Sequence, residues 1–219
     1  MSYPPITLTG LDERTDLDEV LALATDGVEF GVLLSAMPEG RNRYPSLDFI
    51  ELAAVTLGRK LAVHLCGANA RDKFVSGEYD EVLRKVGRVQ INGNIDMTTL
   101  LMATGRFPLQ EIITQYVHGK ERLVGVSMLG NRHSLLVDGS GGNGKLPAEW
   151  LPPATHKRVG FAGGLNAGNL AKEVPRIAAV ARTGWWIDME AGVRNADDWF
   201  DLAKADACIR AAHSAIITP

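Results

Sequence analysis

The sequence predicts an α/β fold, a (β/α)8 barrel formed as one domain over residues 1–219, and three observations predict it. Strand-like apolar runs alternate with helix-like segments about eight times, a pattern that implies a parallel sheet. The 219 residues contain no linker or low-complexity stretch, and eight units of roughly 27 residues favour a closed barrel over an open doubly wound sheet. Three late runs share one grammar, an apolar strand that runs into a glycine turn. They are Leu135-Leu136-Val137-Asp138 before Gly139, Arg158 to Ala162 before Gly163-Gly164, and Trp185 to Met189 before Glu190-Ala191-Gly192. A strand, a glycine turn and a helix make a place for phosphate, because the first helical turn leaves backbone N–H groups unpaired. Three such ends suggest one sugar-phosphate site.

The elements follow in order. Ile6-Thr7-Leu8-Thr9-Gly10-Leu11 alternates and stops at Gly10, as a first strand. Asp12 to Leu23 has acids early and apolar residues at helical spacing, so a helix is expected there. Gly27 to Ser35 is the second strand, and Met37 to Tyr44 an exposed loop. Ser46 is suited to cap a helix running through Leu57. Lys60 to Cys66 is the third strand, Asp80 to Val86 a short helix and Arg88 to Gly93 the fourth strand. Thr98 to Ala103 reads as helix, Glu111 to Val117 as the fifth strand, and Gly119 to Arg132 as a helix weakened by Gly125 and Gly130. Helices over Asn169 to Ala181, with Pro175 as a kink, and over Asp197 to Ala215 follow the last two strands. Trp199, Phe200 and Leu202 fall on the apolar side of the latter, while Trp185 and Trp186 read as packing residues.

Composition bounds the function. Lys and Arg number 23 against 26 Asp and Glu, a net charge of −3, which argues against nucleic acid as a partner. No apolar run reaches the 18 or so residues of a membrane span. The N-terminus has no basic flank or signal core, and two cysteines make neither a disulfide framework nor a zinc site. The expectation is a cytoplasmic, reduced protein, monomer or homodimer, with a small phosphorylated substrate and no metal or organic cofactor.

Barrel enzymes work at the C-terminal strand ends, which here hold Thr9, Ser35, Cys66, Asn92, Asp138, Gly163, Gly164 and Glu190. His64 and Cys66 share a face of the third strand by alternation; they are either core residues or part of the barrel mouth. Arg43 is either a solvated loop residue or a clamp for an anion, a role open to Arg41 as well. His118, His133, His156 and His213 show no partners in the sequence and read as structural or exposed.

Several segments carry a resemblance to the phosphoribosylanthranilate isomerase family of tryptophan biosynthesis. They are Leu136-Val137-Asp138-Gly139-Ser140-Gly141-Gly142-Asn143-Gly144, Ala162-Gly163-Gly164-Leu165-Asn166 with Asn169, and Asp188 with Ala191-Gly192-Val193. Arg43-Tyr44, Val89-Gln90 with Gly93, and Gly10-Leu11 with Asp16 match more weakly. The resemblance implies a barrel that performs an Amadori rearrangement of an aldosylamine to a ketosylamine. It implies Asp138 as general acid, Arg43 as holder of a substrate carboxylate, and main-chain phosphate contacts at Gly163, Gly164, Ala191 and Gly192. Gln90 and Asn92 join Arg43 as candidate substrate contacts. The chain departs from the family at two points. Thr9 stands where the family has its catalytic cysteine, and Glu190-Ala191 replaces two serines. A threonine hydroxyl does not serve as a base without another base beside it, so the base is open among Cys66, His64 and Glu190. The alternative is a diverged phosphosugar- or anion-binding barrel without this activity, or a different reaction on a phosphorylated substrate.

Overall fold

A computed structural model describes residues 3–36, 41–116, 130, 132–139, 144–182 and 184–215. Eight parallel strands close into a barrel in sequence order. They are β1 (Ile6–Thr9), β2 (Val28–Ser35), β3 (Leu61–Cys66), β4 (Arg88–Ile91), β5 (Glu111–Tyr116), β6 (His133–Asp138), β7 (Val159–Ala162) and β8 (Trp186–Met189). Closure is the pairing of Ile6, Thr7 and Leu8 with Ile187, Asp188 and Met189. Outward strand residues such as Leu8, Phe30, Val63, Val89, Ile112 and Phe161 form the main core with the helices. A second, small core of Ile113, Leu136 and Trp186, edged by Ala162, lies within the barrel.

The helices are α1 (Leu17–Leu23), α2 (Leu47–Leu57), α3 (Ala68–Ser76), α4 (Asp80–Leu83), α5 (Met97–Arg106), α6 (Leu170–Ala178) and α7 (Leu202–Ser214). Ser46 caps α2 through the Phe49 amide, as its sequence suggests. Other boundaries differ from expectation for local reasons. The first helix begins at Leu17 rather than Asp12, because Asp16 takes the cap, accepting from the Asp18 and Glu19 amides. Asp12 is instead buried and accepts from the Phe200 amide at 2.6 Å. The α3 helix was not expected; only Ala70 and Phe74 are buried in it, too thin a stripe to stand out in sequence. Pro175 lies inside α6, where it removes one helical donor. The last helix starts at Leu202, since Asp201 caps it and Asp198 has φ 66°, outside the helical region. Trp199 and Phe200 therefore precede α7 rather than belong to it.

The expected helix over Gly119 to Arg132 lies almost wholly outside the described residues, as do Val117, His118, Met37 to Gly40 and Ser140 to Asn143. Among the described residues no helix is long and apolar enough to cross a membrane.

Candidate functional site

The C-terminal ends of the strands surround a cavity of about 580 Å³, a size that suits a small-molecule ligand. Asp138, Cys66, Gln90, Asn92, Arg43, Gly163, Gly164, Glu190, Ala191 and Gly192 all line it, together with Arg41, His64 and Asp188. Thr9 is fully buried beneath the lining, against Asp188.

One wall is bare main chain. Gly163 and Gly164 have φ of +118° and +66°, conformations glycine adopts without a Cβ penalty. The carbonyl of Gly164 accepts from the side chains of Asn166 and Asn169 at 3.2 and 2.8 Å. The amide of Asn166 donates to Asn169 Oδ1 at 2.9 Å. Both asparagines thus fix the turn rather than face a ligand. A short 3-10 turn over Ala191–Val193 follows β8. A Cβ on Gly192 would stand 2.2 Å from the Leu165 carbonyl, so the β7 and β8 turns touch backbone to backbone. Residues 144–146 close against the same wall, because a Cβ on Gly164 would meet the Leu146 nitrogen at 2.5 Å.

Asp138 ends β6, half-buried beside that wall; a Cβ on Gly163 would lie 3.3 Å from its Oδ1. In register, Asp138 pairs with Ala162, and Ala162 pairs with Asp188. The two aspartates therefore stand level, about 9–10 Å apart along the sheet, with only a methyl between them.

The opposite rim is an ion-pair network. Arg43 donates from Nε and Nη2 to the two carboxylate oxygens of Asp198, at 2.8 Å each. Its Nη1 donates to Glu190 Oε1 at 2.9 Å. Asp198 is itself pinned, its carbonyl accepting from Arg194 Nη1 at 2.8 Å. Arg194 packs where a side chain on Gly10 would sit, 2.4 Å from its Nη2, which accounts for the glycine ending the first strand. The hydrogen bonds and charge of Arg43 hold the Asp198 carboxyl below its ordinary range. Burial pushes the Glu190 carboxyl up, against the pull of Arg43 and Arg194.

The floor is a line of buried polar groups. Thr9 Oγ1 donates to Asp188 Oδ1 at 3.0 Å. Gln90 Nε2 lies 3.1 Å from His64 Nδ1 and donates to Asn92 Oδ1 at 2.9 Å. Asn92 Nδ2 reaches Cys66 Sγ at 3.4 Å. Burial pushes the Asp188 carboxyl up to about 7, against the Thr9 hydrogen bond and the charge of Arg88. Burial and Arg88 push His64 down to about 3, so its ring is neutral. Burial and then Glu190 push the Cys66 thiol up to about 12.

Asp188 and Asp198 were not among the candidate site residues. Asp188 sat in a matched segment without a role, and nothing in the sequence shows that Asp198 turns back to hold Arg43. Among the described residues no group of three or more His, Cys, Asp or Glu side chains is placed to hold a metal ion.

The sequence matches no protein-family model and no curated protein. Solved structures do resemble the chain. Phosphoribosyl anthranilate isomerase from Thermus thermophilus is 22% identical with a TM-score of 0.65, over 94% of this chain and 96% of that one. Monomers generated from the dimeric Thermotoga maritima enzyme are 14% identical with a TM-score of 0.64, over 96% and 99%. A phosphoribosyl anthranilate isomerase in complex with reduced 1-(o-carboxyphenylamino)-1-deoxyribulose 5-phosphate is 16% identical with a TM-score of 0.62, over 95% and 98%. At these identities the likeness establishes the barrel fold.

Proposed function

We propose that the protein is an isomerase that rearranges a phosphorylated sugar amine from aldose to ketose form, with Asp138 as general acid. The observation that carries the reading is the placement of Asp138 beside a wall of bare glycine main chain in one cavity. A phosphate on that wall, at Gly163, Gly164, Ala191 and Gly192, sets the sugar ring toward the Asp138 carboxyl. Proton delivery to the ring oxygen then opens the furanose. A neighbouring fold holding a substrate-like ribulose 5-phosphate derivative supports a ligand of this class.

The second half of the reaction needs a base, and Cys66, His64 and Glu190 suit it poorly. A thiol pushed up to about 12 is almost wholly protonated at neutral pH. An imidazole pushed down to about 3 is a very weak base. Glu190 is engaged by Arg43.

The test is a fluorescence assay with freshly made phosphoribosylanthranilate. The wild-type protein turns it over, and Asp138→Asn lowers the rate by about 10²–10⁴-fold, the usual worth of one acid–base group. An Asp138→Asn variant with full activity removes the assignment.

A second reading has its own observation. Arg43 already holds two carboxylates of this chain, so it is not free for a substrate carboxylate. A barrel that binds a phosphosugar without this reaction, or one acting on a different phosphorylated substrate, fits that pairing. No turnover by folded protein, with ribose 5-phosphate binding seen by calorimetry, selects this reading.

A further inference from the structure

The floor of the cavity holds an acid and an imidazole that are incompletely partnered. Thr9 donates to one oxygen of Asp188. The other oxygen stands 3.8 Å from His64 Nε2, too far for a hydrogen bond. With the Gln90 amide donating to Nδ1, the ring proton sits on Nε2, and that atom has no hydrogen-bond partner among the described residues. Both side chains are at least nine-tenths buried, yet both line the cavity. A buried donor left beside a buried carboxyl is costly unless a third group completes the pair. A ligand hydroxyl or carbonyl oxygen placed above them completes it.

We propose that Asp188, positioned by Thr9, is the base that removes the proton from the sugar carbon next to the opened anomeric carbon, while His64 donates to the oxygen on that carbon. The chemistry rests on the isomerase reading; the site rests on the geometry. Thr9 fixes the carboxyl through Oδ1 and leaves Oδ2 to react, so the residue at the position of the family cysteine acts through its neighbour.

The protons and electrons close. Asp138 protonates the ring oxygen, the bond from C1 to that oxygen breaks, and the nitrogen lone pair forms C1=N. Asp188 takes the C2 proton, the C2–H electron pair becomes C1=C2, and the C1=N pair returns to nitrogen. Asp188 then returns its proton to C1, and the O2 proton passes to Asp138 as C2=O forms. Both carboxyls end as they began, and no other reactant is needed.

The experiment labels the base with glycidol phosphate, a phosphorylated epoxide that a carboxylate opens to form an ester. Peptide mass spectrometry of the full chain should locate the ester on Asp188, and Asp188→Asn should lose it. Labelling needs the carboxylate, so its rate should rise with pH through about 7. The groups facing Asp188 are Thr9, His64, Arg88, Glu29 and Glu190, with Asp138 across Ala162. Thr9→Val removes the hydrogen bond that holds the carboxyl down, so the midpoint should move up; the ionisation of the reagent is common to both proteins and cancels. An ester on Asp138 or Glu190 with Asp188 unmodified, no ester at all, or an unmoved midpoint in Thr9→Val overturns the assignment. An ester on Asp188 without turnover of phosphoribosylanthranilate keeps this base and removes the proposed substrate. Turnover that depends on Asp138, without the ester, does the reverse.

Discussion

The two ends of the barrel interior are both lined with ionisable groups, and they partner them differently. At the N-terminal end Arg88 lies 3.3 Å from Glu29 and 3.0 Å from Glu111. Arg158 reaches Glu111 at 3.1 Å, and Arg88 and Arg158 both lie over the Trp186 ring, 4.0 and 4.9 Å from its centroid. Burial pushes the Glu111 carboxyl up, but the two guanidinium groups outweigh it and hold the group below its ordinary value; at Glu29, which has Arg88 alone within ion-pair distance, burial outweighs the cation and the carboxyl is raised. At the C-terminal end Asp188 is more deeply buried, and its hydrogen-bond donor is the neutral hydroxyl of Thr9. Its carboxyl rises to about 7. One end meets each buried acid with a cation and is a structural plug. The other leaves an acid and an imidazole under-partnered around open space, which is the expected mark of a working site.

The contrast can be broken most strongly from below. Replacing Arg88 by Met strands Glu29 and leaves Glu111 with Arg158 alone, and removing one partner of a buried ion pair costs about 3–5 kcal/mol. Urea unfolding at pH 7 should show that loss. It should shrink as the pH falls, because burial raises the proton affinity of the stranded Glu29 carboxyl in the folded state and protonation removes its charge. A loss that is independent of pH would mean that Arg88 acts through packing alone.

From above, Asp188→Asn should stabilise. A carboxyl raised from 3.8 to about 7 by folding favours the native state fully below the unfolded value, and that contribution disappears as pH rises through the folded one. The asparagine variant should match wild type near pH 4 and exceed it at pH 8 by on the order of 2–4 kcal/mol. A variant that gains stability while losing activity would separate the roles of the two ends; equal stability at both pH values would refute the proton affinity assigned to Asp188.

The smallest effect belongs to the rim. The Arg43–Glu190 pair is about a third exposed, so Glu190→Gln should change stability by less than about 1 kcal/mol. It also removes a negative charge from the cavity. Inorganic phosphate should then bind roughly five-fold tighter by calorimetry, from about 1 kcal/mol of relieved repulsion. An unchanged affinity would place the anion away from Glu190.

The barrel was legible because its strands are short apolar runs that end at polar residues and glycine, a pattern set by local chemistry. Alternation puts His64 and Cys66 on one face, and both line the cavity. Their reactivity was not legible, because it depends on burial and on Glu190 and Arg88, which come from other strands. The α3 helix leaves little sequence signal because it buries only Ala70 and Phe74. The pattern of the final helix extends past its true start because Trp199 and Phe200 continue the apolar spacing, while the backbone turn at Asp198 leaves no such trace. Asp188 lies in a matched segment, and its burial and its hydrogen bond from Thr9 are set by neighbouring strands rather than by that segment.

The middle of the barrel also constrains how the sequence can change over time. A methyl group at position 160 would stand 2.3 Å from the Trp186 ring, so the two positions form one unit of volume shared between neighbouring strands. Change there has a direction. Position 186 must shrink before position 160 can grow, and in descendants of this chain the two should covary, with glycine at 160 retained wherever tryptophan remains at 186.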